Sequence, residues 1–96
     1  MIKKLFAELL GTFILLSIIM IISNDKQYND YHTAFGIGFC VAITIILTSP
    51  ISGGHLNPVV SLVMFINNKI KLDQFIQYVI AQSIGGVLAL SYYKLI

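Results

Sequence analysis

The sequence predicts an all-α membrane protein with three transmembrane helices and one short, re-entrant half-helix. Of its 96 residues, 57% are hydrophobic and 10% charged, against ~25% charged in an average soluble domain. Three apolar stretches each approach the ~20 residues that a spanning helix needs. Between the second and third stands Ser52-Gly53-Gly54-His55-Leu56-Asn57-Pro58-Val59-Val60, a glycine turn leading into a helix start within apolar sequence.

The first span covers roughly residues 5–23, and Glu8 is its only ionisable residue. Lys3 and Lys4 precede it, as in a signal peptide. Its apolar core, however, exceeds the ~7–15 residues of a signal sequence, and no small-x-small cleavage site follows. Residues 24–32 form a polar loop, and the second span covers roughly residues 33–51, bounded by Pro50. The half-helix takes roughly residues 58–67. Asn57 is a strong N-cap, and Pro58 suits the first helical position, where its missing N–H would lack a partner anyway. The apolar run 59–66 rises only ~12 Å, so it cannot cross a ~30 Å hydrocarbon core. It enters from one side, stops near the midplane and aims its positive N-terminal end at a pore. A second polar loop follows at residues 67–73, then a third span at roughly 74–93.

Lys3, Lys4, Lys69 and Lys71 fall on one side of this arrangement, and Lys26 and Lys94 on the other. The positive-inside rule places the N-terminus and the loop 67–73 in the cytoplasm and the C-terminus outside. The half-helix then enters from the cytoplasmic side. Small residues recur every four positions: Ala7 and Gly11, then Ala34, Gly38 and Ala42, then Ala81, Gly85 and Ala89. Such stripes let helices approach closely in lipid, where apolar burial gives no net drive. They predict a compact bundle, although membrane helices are rich in Gly and Ala in any case.

Several function classes are disfavoured. The lysines are scattered, so no nucleic-acid-binding patch forms. The lone Cys40 excludes an intrachain disulfide, and two histidines do not make a metal site. No paired carboxylates, nucleophile–base set or phosphate loop points to an enzyme, and nothing implies a cofactor.

The loop string, extended by Ile51, resembles the first pore loop of the aquaporin and glycerol-facilitator family, the major intrinsic proteins. Ala7-Glu8-Leu9-Leu10-Gly11-Thr12-Phe13 resembles that family's first helix, and Ala81-Gln82-Ser83-Ile84-Gly85-Gly86 its third. The resemblance covers the N-terminal half of the family fold, one half-repeat with a single asparagine–proline motif. It implies passive water or small neutral solute conduction in a lipid bilayer, realised with a second half-repeat chain or a full-length aquaporin. The alternative is a non-conducting, truncated or regulatory membrane protein that packs against full-length aquaporins.

The resemblance also implies site residues. Asn57, before Pro58, caps the half-helix with its amide oxygen and offers its NH₂ to a passing water. The helix dipole there opposes cations and protons. Val59 departs from the family alanine by two methyl groups, which would tighten the constriction. The backbone carbonyls of Gly53, Gly54, His55 and Leu56 line the cytoplasmic half of the pore. His55 is equally readable as a structural hydrogen-bonder. Glu8 and Gln82 brace the loop, the competing reading for Glu8 being that it snorkels to the nearby interface. At the selectivity filter, alignment from Asn57 selects Ile37, whereas the local Ala34-Phe35-Gly36 string favours Phe35. No arginine is present to complete the usual constriction.

Overall fold

The computed structural model describes residues 1–96. It contains four helices and no strand: α1 (Ile2–Ser23), α2 (Asp30–Ser52), α3 (Pro58–Ile66) and α4 (Leu72–Leu95). α1, α2 and α4 are long and apolar enough to cross a membrane. The all-α architecture read from composition is therefore present, with α3 as the short fourth helix.

Local chemistry accounts for the breaks. At the end of α1, the Asn24 amide donates to the Met20 carbonyl at 2.7 Å, and Gln27 N–H donates to Asp25 Oδ1 at 2.9 Å. These side-chain bonds close a short turn. Asn29 then caps α2, accepting from His32 N–H at 2.8 Å. α2 runs through Pro50 rather than stopping at it: Pro50 lies in the last turn, so its missing N–H and its ring disturb only the bond toward the Ile46 carbonyl. Gly53, at φ 91°, ends the helix instead, its N–H donating to the Ser49 carbonyl at 3.0 Å.

α1 is the centre of the bundle, packed against α4 on one side and α2 on the other; α3 rests on α4. α4 runs parallel to α1, so that Glu8 meets Gln82 and the ring of Phe13 meets Tyr92 at 5.9 Å. The α1–α4 seam is tight because Gly85 has no side chain. A Cβ there would press on the Leu9 carbonyl and lie 3.2 Å from Phe13 N. Ala81 and Ala89 extend this buried stripe.

α2 turns a different face inward from the one its small residues mark. Cys40, Thr44, Thr48 and Ser52 are buried at four-residue spacing. Ala34, Gly38 and Ala42 are exposed, and a Cβ at Gly38 would meet nothing within 4 Å. The reason is fit. A Cβ at Gly11 would lie only 3.0 Å from the Thr48 methyl, so Thr48 fills the notch that Gly11 leaves. The hydroxyls do not object to burial. Thr44 Oγ1 donates to the Cys40 carbonyl and Thr48 Oγ1 to the Thr44 carbonyl, each at 2.7 Å. Leu15, Cys40 and Leu56 form the small apolar core beside this seam.

The two glycines separate by experiment. Gly85→Ala forces backbone from backbone and should destabilise the bundle by about 1–3 kcal/mol, the usual cost of overpacking. Gly38→Ala should stay within ~0.5 kcal/mol of the parent, as open surface changes do. Unfolding in mixed micelles reads both; equal effects would place the α1–α4 seam elsewhere.

Candidate functional site

The loop between α2 and α3 is irregular backbone held from inside the bundle. Its residues use conformations that most side chains avoid: φ is 91° at Gly53, 64° at Gly54 and 54° at Leu56. The two glycines take them without a Cβ penalty. Leu56 does not, and a non-glycine residue in this region carries strain of order 1–3 kcal/mol. What holds it is packing and hydrogen bonding. Its side chain is buried against Gly11, where a Cβ would sit 2.6 Å from Leu56 Cδ2.

The bonding centre is Glu8. Its side chain is fully buried, nearly two turns into α1. Oε2 accepts from Ser52 Oγ at 2.6 Å and from His55 N–H at 3.1 Å. Oε1 accepts from Leu56 N–H at 2.8 Å and from Gln82 Nε2 at 2.9 Å. All four contacts bring hydrogen-bonding groups onto the two carboxyl oxygens. Glu8 therefore turns into the bundle rather than toward an interface.

Around it the network closes further. Gln82 Nε2 also donates to Ser61 Oγ at 3.0 Å, and Ser61 Oγ lies 2.7 Å from His55 Nδ1. Both Gln82 N–H bonds are thus used, and the direction of the Ser61–His55 bond follows the His55 tautomer. Tyr78 stands edge-on to the His55 ring at 4.9 Å, and its hydroxyl donates to the Ser52 carbonyl at 2.6 Å.

The result is a one-sided backbone. The N–H of Gly53 goes to the Ser49 carbonyl, that of Gly54 to Ser52 Oγ, and those of His55 and Leu56 to Glu8. The carbonyls of Gly53, Gly54, His55 and Leu56 accept no hydrogen bond from the chain. The run ends at exposed Asn57. Asn57 Oδ1 accepts from Val59 N–H at 2.8 Å, capping α3 and leaving the amide NH₂ without a protein partner. Pro58 and Val59 are exposed beside it. Four acceptors in series, two donors and a positive helix end can bind small hydrogen-bonding molecules without any formal charge exposed.

Ile37 is not gathered into this cluster. It sits half-buried on α2, about 22 Å along the helix from Ser52 at 1.5 Å per residue. Phe35 is 69% exposed. Ser61 and Tyr78 belong to the cluster, yet the sequence reading does not single them out. Ser61 had a signal: it is the one polar residue in the apolar run 59–66, and a polar group in a membrane helix wants a partner.

Glu8 variants test the hub. Glu8→Ala leaves four donors facing an empty site, at about 1–3 kcal/mol per buried unsatisfied group. Glu8→Gln puts an NH₂ against donors and should cost about 2 kcal/mol or more by the same reasoning. Ser61→Ala should cost less than either. Thermal stability in detergent and protease cleavage at Gly53–Gly54 are the readouts; an uncut, stable Glu8→Ala protein would show that the loop holds itself.

A family model described as major intrinsic protein matches residues 1–96. Glycerol uptake facilitator protein-like 6 of Lactiplantibacillus plantarum is 39% identical over 93 residues, covering 91% of this chain and 40% of that protein. The glycerol uptake facilitator protein of Buchnera aphidicola is 36% identical over 90 residues, covering 88% and 34%. Aquaporin Z of Photorhabdus laumondii is 34% identical over 95 residues, covering 93% and 41%. The chain thus spans 34–41% of the length of these curated relatives. No solved structure matches it. With a match along its whole length and three membrane-spanning helices, the chain belongs to the major intrinsic protein family and is an integral, multi-pass membrane protein.

Proposed function

We propose that this chain supplies one half of the wall of a channel for water or small neutral solutes. The carrying observation is the one-sided loop. Every N–H from Gly53 to Leu56 is bonded inward, every carbonyl is free, and the series ends at the unpartnered NH₂ of Asn57. Irregular backbone at membrane depth is tolerated only beside protein or a wet cavity. A file of water or polyol hydroxyls satisfies these carbonyls and the Asn57 amide together. Val59 narrows the passage beside Asn57. Ile37, far along α2 from the loop, contributes to the selectivity filter at the other end of the passage. The names of the relatives, glycerol facilitators and aquaporins, favour the same solutes.

A partner is part of the proposal. α3 packs on α4, while Val59, Val63 and Ile66 form a bare apolar face on its other side. A second half-repeat, on another chain or a full-length relative, covers that face and supplies the opposite wall. The lysine bias orients the N-terminus and the loop 67–73 to the cytoplasm and the C-terminus outward. The same bare face equally suits a non-conducting chain that docks on a full-length relative, which is the second reading.

Osmotic swelling of proteoliposomes separates the two. The chain alone should match empty liposomes. Co-reconstituted with a second half-repeat or a full-length relative, it should co-purify and, on the primary reading, add water flux. In that assembly Asn57→Asp should reduce flux more than Asn57→Ser, since it reverses the local charge and loses both donors. Unchanged flux in Asn57→Asp would remove Asn57 from the pore. Impermeant labelling of cysteines introduced at Lys3, Lys69 and Lys94 reads orientation: the first two should react only from the cytoplasmic side. Labelling of Lys69→Cys from both sides would reject a single topology.

A further inference from the structure

The structure assigns to Phe65 and Phe75 the task of aiming α3, and with it the Asn57 amide, into the passage; the inference rests on the reading of this chain as part of a channel wall. α3 has one supporting helix. No Cα of α3 lies within 8 Å of one in α1 or α2, which leaves α4. Two side-chain pairs join them. Ser61 Oγ accepts from Gln82 Nε2 at 3.0 Å. One turn further along α3, the rings of Phe65 and Phe75 stack, with centroids 5.5 Å apart and planes 9° from parallel. The partners step forward on α3 and backward on α4, so the two helices run antiparallel.

The link between the two rings is short and closed. Asn68 takes φ 60°. Lys69 N–H donates to the Met64 carbonyl at 2.8 Å, and Asn68 N–H to the Phe65 carbonyl at 3.0 Å. This left-handed C-terminal cap uses the last carbonyls of α3 and turns the chain back toward α4. The stack then sets the spacing of the two helices at that end.

The other end of α3 is a pivot, because Leu56, next to Asn57, is tied to Glu8 through its N–H. Orientation reaches the amide through the cap bond. Asn57 Oδ1 accepts from Val59 N–H at 2.8 Å, and that N–H turns with the helix. The amide plane and its NH₂ therefore follow the axis of α3. Phe65 lies ~12 Å along the helix from Asn57, so the pair acts through α3 and does not touch the solute. Removing the Phe75 ring opens a layer of ~3.5 Å near one end of the ~9 Å from Val59 to Phe65, and closing it swings α3 by about 20°. A preorganised binding group tolerates only ~10–20°.

The valines report on this directly: Val59, Val60 and Val63 lie on α3, Val41 on α2, and Val79 and Val87 on α4. In the full chain, labelled with nitrogen-labelled valine and held in aligned bilayers, solid-state NMR reads the axis of each helix. Phe75→Ala should move the three α3 signals by the equivalent of about 20° and leave those of Val41, Val79 and Val87 in place. Phe75→Tyr, which keeps a ring, should move none. In the co-reconstituted assembly, Phe75→Ala should lower water flux per complex about fivefold, the worth of one hydrogen bond to a passing molecule. Phe75→Tyr should match the parent. An unmoved α3 in Phe75→Ala overturns the proposal. So does a moved α3 with full flux. Displacement of the α2 and α4 signals as well would make the stack a support of the whole bundle, and overturns it too. A parent assembly that does not conduct removes the channel reading instead, and the valine signals still decide whether the stack aims α3.

Discussion

Everything at the loop depends on a buried carboxylate with no cation beside it. Glu8 is stabilised by four hydrogen bonds instead: two backbone N–H groups, a serine hydroxyl and a glutamine amide. A carboxyl group buried in this way is expensive unless its oxygens are hydrogen-bonded. Bonding them is what sets the conformation of the loop. Two consecutive peptides must turn their N–H groups toward Glu8, so their carbonyls must face away. The free carbonyls of Gly54 and His55 follow from that demand, and the strained Leu56 backbone and the left-handed Gly54 accompany it.

The packing supports the same geometry. α1 is central because its neighbours can approach it closely, Gly85 of α4 over the backbone of Leu9 and Phe13, and Thr48 of α2 at Gly11. Gly11 serves twice, since Leu56 also occupies its space. The position of the loop is therefore coupled to the α1–α2 crossing. A side chain at Gly11 disturbs both, even though Gly11 bonds to neither.

Much of this was legible in the sequence, for identifiable reasons. The helices follow from apolar length, and the start of α3 follows from the Asn57–Pro58 pair, whose capping chemistry is local. The Ala81–Gly85–Ala89 spacing does mark the buried face of α4. The spacing of Ala34, Gly38 and Ala42 misleads for α2, because small size permits close approach but does not require it. The buried stripe there is Cys40, Thr44, Thr48 and Ser52, whose hydroxyls satisfy themselves on their own helix or on Glu8. Ser61 and Tyr78 escape a sequence reading because their partners lie far along the chain: Ser61 is 21 residues from Gln82, and Tyr78 is 26 from Ser52. No local pattern predicts which buried polar side chains will meet.

Those separations bear on how the protein assembles. The bonds from Glu8 span 44 residues to Ser52, 48 to Leu56 and 74 to Gln82. In α2 the hydroxyls of Thr44 and Thr48 are paired within the helix itself. Glu8 cannot be fully paired until the loop has been made, and the loop lacks Gln82 and Tyr78 until α4 arrives. Closure of such long-range contacts comes late. The half-helix and its loop therefore cannot reach their final pairing until the residues of α4 are present. A chain that stops before residue 78 would leave Glu8 Oε1 and the Ser52 carbonyl without two of their donors.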